Sequence, residues 1–115
     1  MGIRRIDKNN WRSVCNQISR MGGSEEKYAE IEIAGVHLGD QATAKWLPLT
    51  EISYSSRDDA VEISLKSLHH RIRHPNDIFI EESGDALLSI CVTDREDFQH
   101  IVRLSKPLSY PAKAG

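Results

Sequence analysis

The hydrophobic period changes once along this chain, and that change restricts the fold more than any other feature. In residues 7–21, DKNNWRSVCNQISRM, the apolar positions Trp11, Val14, Cys15, Ile18 and Met21 recur every three or four residues. That spacing lines one face of a helix. Asp7 suits an N-cap, Arg20 suits the last turn, and Gly22-Gly23 supplies a stop. From Lys27 the period becomes two: in YAEIEIAG, Ala29, Ile31 and Ile33 share a face opposite Tyr28, Glu30 and Glu32. AVEISL repeats the pattern with Val61, Ile63 and Leu65.

Between these segments, QATAKWLPL and EISYS read as an extended run interrupted at Pro48, and RDD as a turn. The stretch LHHRIRHPNDIFIEE, residues 68–82, then reads as a hairpin through Pro75, Asn76 and Asp77. That loop would set Ile72 opposite Ile80, Arg71 opposite Glu81 and His70 opposite Glu82, pairing apolar with apolar and cation with anion. A second hairpin through Ser83-Gly84-Asp85 would oppose Ile80 to Leu88 and Ile78 to Ile90. After the turn DREDF, a last strand continues the alternation with Phe98, Val102 and Leu104, with His100 opposite Ile90. The closing SKPLSYPAKAG reads as an extended or frayed tail.

These segments predict an α+β fold in a single domain spanning 1–115. One N-terminal helix (about 7–21) packs on a strongly bent, mainly antiparallel meander of about six to seven strands (about 27–104), followed by a tail (about 105–115). At 115 residues there is no room for a second core of ordinary size.

The stretches GDQATAKWLPLTEISY, HRIRHPNDIFIEE and VTDREDFQHIVRL, with the helix WRSVCNQIS, resemble a bacterial family of small proteins of unknown function, DUF5335. The likeness runs roughly from Trp11 to Leu108. The sequence departs from the family pattern at Glu51, where a glycine is expected after LPL, and in the turn DRED, which lacks one. Both departures concern turn geometry. The resemblance implies the helix-plus-sheet fold and carries no activity, substrate, cofactor or catalytic residue with it.

Composition narrows the function classes. A net charge of -2 gives no global attraction to nucleic acid. No apolar run reaches the length of a membrane span, and the start MGIRRIDKNN lacks the apolar core of a secretion signal. Two cysteines, Cys15 and Cys91, without such a signal read as reduced thiols in a cytoplasmic protein.

Reactive motifs are missing: no Gly-x-Ser-x-Gly elbow, no phosphate-cradling glycine loop and no Cys-x-x-Cys. On a strand, His70 and His74 lie about 13 Å apart, too far to share a metal comfortably. A Cys91–His100 pair would point to opposite faces. His69, Arg71 and Arg73 share a face and could meet phosphates, but stacking aromatics are scarce.

The expectation is therefore a cytoplasmic, non-enzymatic binding or interaction module without cofactor. Its partner would be an unknown protein or a second copy met at a sheet edge or face. The candidate surface is His70, Arg71, Arg73, His74, Trp46 and Tyr54, with Tyr28 and Tyr110 as further aromatics. A metal- or ligand-binding protein or enzyme using the histidine-bearing hairpin is the alternative, and nucleic-acid binding through Arg71 and Arg73 a weaker one.

Overall fold

The computed structural model describes residues 2–21, 26–35 and 39–109. Strand β1 (Gly2–Ile6) comes first, then a 3-10 turn (Lys8–Asn10) and helix α1 (Trp11–Arg20). Strands β2 (Lys27–Gly35), β3 (Gly39–Ser55), β4 (Ala60–Leu65), β5 (Leu68–Arg73), β6 (Pro75–Ser83), β7 (Ala86–Asp94) and β8 (Gln99–Ser109) follow. They form one eight-stranded sheet in the order β1-β6-β7-β8-β2-β3-β4-β5. Every neighbouring pair is antiparallel. The sheet is not closed, so β1 and β5 are its edges.

The helix forms as its stripe predicts, and packs on β3. Asp7 caps the opening turn by accepting from Asn9 N at 3.0 Å. Trp11, Cys15, Ile18 and Met21 are buried, and Val14 packs beside them. Two polar anchors fix the docking. Trp11 Nε1 donates to Ile6 O at 3.0 Å. Ser19 Oγ accepts from Ile52 N at 2.9 Å and lies 2.7 Å from Ile52 O. Lys27 Nζ reaches Ser19 O and Met21 O, both at 2.7 Å, which satisfies carbonyls the helix end leaves open. The glycines expected to stop the helix lie outside the described residues.

Several sequence-based expectations need correction. The sheet has eight strands, because GIRRI forms β1 against β6. Short and charged, that segment shows almost no alternation: Ile6 is buried while Ile3 is exposed. Residues 105–109, expected in a tail, belong to β8, which runs to Ser109 and buries Leu108 opposite Leu87; the rest of that segment lies outside the described residues. Pro48 does not divide the extended run; β3 passes through it as one strand, with irregularities flanking it and Trp46 at φ 53. A positive φ at a bulky residue is costly and marks a local irregularity in the pleat.

The hairpin through Pro75 does not exist. β5 pairs with β4, placing Arg71 beside Glu62 and His70 beside Ile63, while β6 pairs with β1 and β7. The chain turns at His74, whose φ is 53, and Pro75 opens β6 as a buried residue. A first strand position tolerates the missing N–H of proline. The hairpin through Gly84 does form, but its loop is two residues, with Ser83 opposite Ala86 and Gly84 at φ 60. The shorter loop moves the register by one and an irregularity beyond it by one more, so Ile80 meets Ile90 and Ile78 meets Val92. The last hairpin shifts likewise, and His100 faces Val92. Even shifts preserve the side-chain face, so Ile78, Ile80, Ile90 and Val102 are buried although their partners change, whereas Leu88, next to the irregularity, is only half-buried and Leu87 takes the core position.

Candidate functional site

The site is built around the single-residue corner at His74. Its N–H donates to Asp59 O at 2.8 Å, and its carbonyl accepts from Arg95 N at 3.0 Å. One residue thereby joins the β3–β4 turn to the β7–β8 turn. The His74 ring repeats the link, with Nδ1 3.1 Å from Asp59 Oδ2. The other oxygen of Asp59 lies 3.3 Å from Tyr54 Oη.

Asp94 organises the β7–β8 turn. Its Oδ1 accepts from Glu96 N at 2.8 Å and Phe98 N at 3.1 Å. Its Oδ2 lies 2.9 Å from His100 Nε2, and His100 Nδ1 lies 2.9 Å from His70 Nε2. His100 is 7% exposed. For neutral rings the carboxylate fixes the tautomers: His100 carries its proton on Nε2, His70 donates from Nε2, and His70 Nδ1 is left bare. His70 is held neutral, its pKa pushed down to about 4 by burial first and then by the neighbouring His100 and His69. A proton on both rings would turn their mutual bond into a clash of donors.

A cleft of about 310 Å³ opens beside this chain. One wall is the end of β5 with Arg71, Ile72, Arg73 and His74; the other is Asp94, Arg95 and Glu96, with His100. Arg71 sits 3.6 Å from Glu62 and 3.9 Å from Asp58. Arg73 and Arg95 are exposed, and among the described residues neither has a carboxylate within 4.0 Å.

The structure gathers His70, Arg71, Arg73 and His74 at this corner. Arg71 and His70 do not meet Glu81 and Glu82 as expected; those carboxylates take Ser89 and Arg4. Tyr54 is in the core, edge-on to Trp11 with ring centroids 5.2 Å apart, and reaches the corner only through Asp59. Trp46 is 44% exposed, on another part of the sheet. Tyr110 and His37 lie outside the described residues. Cys91 and His100 sit in opposite phases of their strands, Cys91 facing Ile101 and His100 facing Val92. The Cys15 thiol is pushed up to about 12 by burial, and burial raises Cys91 as well. Neither thiol is an activated nucleophile. Among the described residues no group of three or more His, Cys, Asp or Glu is placed to hold a metal ion.

Sequence reasoning missed Asp59, Asp94 and Arg95 and gave His100 no role here. A signal existed for His100: it shares the phase of Phe98, Val102 and Leu104 and so belongs to the inward face.

The model of a family of unknown function, DUF5335, matches residues 2–113. The chain belongs to that family. A relative, an uncharacterized protein of Aquifex aeolicus (strain VF5), is 30% identical over 112 residues, covering 96% of this chain and 99% of the relative. No solved structure matches the chain. No helix among the described residues of this DUF5335 member is long and apolar enough to cross a membrane.

Proposed function

We propose that this DUF5335 member is a non-enzymatic binding module that engages its partner at the corner where edge strand β5 passes into β6. One observation carries the reading: Arg73 and Arg95 lack acidic partners among the described residues, yet line one cleft. Arg71 in the same cleft and Arg4, Arg5, Arg57 and Arg103 elsewhere each have a carboxylate within 4.0 Å; Arg12 and Arg20 have none among the described residues but do not line this cleft. Unpaired guanidinium groups beside a buried polar network suit an incoming anion better than they suit stability.

The cleft wall offers no hydroxyl or thiol nucleophile, which supports binding over covalent catalysis. Two unpaired thiols, Cys15 and Cys91, fit a reducing, cytoplasmic setting. The enzyme reading has one observation in its favour, the Asp94–His100–His70 chain, which resembles an oriented general base. Nucleic-acid binding is weakened by the commitment of Arg71 to Glu62 and Asp58.

Native mass spectrometry of the purified chain tests the proposal. A retained ligand or self-complex, lost in an Arg73→Glu/Arg95→Glu variant of unchanged melting temperature, is expected. An apo monomer in both chains overturns it. So does turnover of simple esters or amides that disappears in His100→Gln.

A further inference from the structure

We propose that the β5–β6 corner cleft binds a phosphoryl oxyanion, as free phosphate or as a small phosphate ester. This rests on the binding-module reading and names the chemistry its cleft accepts. The donors have defined sources. Arg73 at the end of β5 and Arg95 in the β7–β8 turn bring two guanidinium forks to the same cleft, and among the described residues neither fork is occupied by a carboxylate. A phosphoryl group spreads its oxygens tetrahedrally and carries more than one negative charge at neutral pH, so it can meet both forks from different directions with more charge than a single carboxylate brings. The neutral His74 ring is not among the donors, because its Nδ1 proton is held by Asp59 and its Nε2 carries a lone pair.

The acidic groups at the cleft do not cancel these donors. Asp94 spends both oxygens on Glu96 N, Phe98 N and His100, so it serves as a fixed strut. His100 spends both nitrogens on Asp94 and His70, and forms wall rather than ligand. Glu96 is the carboxylate that opposes an anion, set against Arg73 and Arg95, since Arg71 is already paired with Glu62 and Asp58. A volume of about 310 Å³ accommodates a phosphate with a small organic body attached.

Isothermal titration at about 0.15 M salt, where diffuse attraction is screened, tests the assignment with inorganic phosphate, phenyl phosphate and benzoate. Saturable binding of the phosphates is expected, weakened at least about tenfold by Arg73→Ser or Arg95→Ser. An Arg20→Ser control, outside the cleft, leaves binding unchanged, and melting temperatures confirm that all chains fold. Equal affinity for both phosphates identifies the free ion as the source; tighter phenyl phosphate identifies an ester. No saturable phosphate binding, tighter benzoate, or affinity unmoved in both arginine variants overturns the proposal. If phosphate fails while an arginine-dependent complex persists in native mass spectrometry, the phosphoryl chemistry falls and the binding module stands. If both fail, both fall.

Discussion

At the β1 edge of the sheet each arginine has its own carboxylate. Arg4 meets Glu82 at 3.2 Å and Arg5 meets Asp77 at 2.8 Å, both across to the adjoining strand β6. At the β5 edge, Arg73 and Arg95 flank a cleft, have no such partner among the described residues, and stand beside a part-buried chain of two histidines and an aspartate. Charged residues on an edge strand discourage unwanted pairing, and β1 uses them for that with its charges neutralised locally. The β5 corner keeps positive charge in reserve. One edge is finished as a surface; the other is organised to receive something.

The largest expected effect separates the buried polar chain from the exposed pairs. Replacing His100 by Ala leaves the Asp94 carboxylate and His70 Nε2 without their partner in a mostly buried site. Such a loss costs about 3 kcal/mol, measured by urea unfolding. A loss below about 1 kcal/mol would mean that water replaces the ring freely and that the corner is no more fixed than β1.

Acid gives the second effect. The pKa of His70 is about 4 in the folded protein against an ordinary 6.5. The unfolded chain therefore binds more protons through this window, and stability falls as pH drops from about 6.5 toward 4. The contribution is fully present above the unfolded value. Allowing for solvent screening of a partly exposed ring, it is on the order of 1–2 kcal/mol. Urea midpoints across that range should decline in wild type and flatten in His70→Gln. Parallel declines in both chains would assign the acid sensitivity elsewhere.

How far the sequence anticipated these regions depends on the kind of signal. Helix α1 and strand β4 were legible because their periodicity is local: one buried stripe, and one buried alternation at Val61, Ile63 and Leu65. The partner of β5 was not. Arg71 finds an anion equally well in Glu81 or in Glu62, and alternation alone cannot choose between neighbours. The deciding residue is His74, whose left-handed backbone carries no composition signal of its own, while Pro75 and Asn76 attract the turn assignment. Half of the candidate site was therefore visible, on β5. Its other half, Asp94, Arg95 and His100, joins through contacts distant in sequence: His70 to His100, 30 residues apart, and Arg95 N to His74 O.

The smallest effect sharpens the comparison between edges. Arg5→Ala removes an exposed ion pair and costs up to about 1 kcal/mol. Arg73→Ala and Arg95→Ala lose no such partner among the described residues and should stay within about 0.5 kcal/mol of wild type. A clear destabilisation by either corner arginine would give it a structural role and remove the reason to assign it a ligand.

The central claim is best tested by following backbone amides in two-dimensional NMR during an inorganic phosphate titration. The account predicts saturable shifts confined to Arg73–His74 and the turn from Asp94 to His100, with Arg4, Arg5 and Ile6 unmoved. Shifts at β1 as large as those at the β5 corner, or none at either edge, would contradict it.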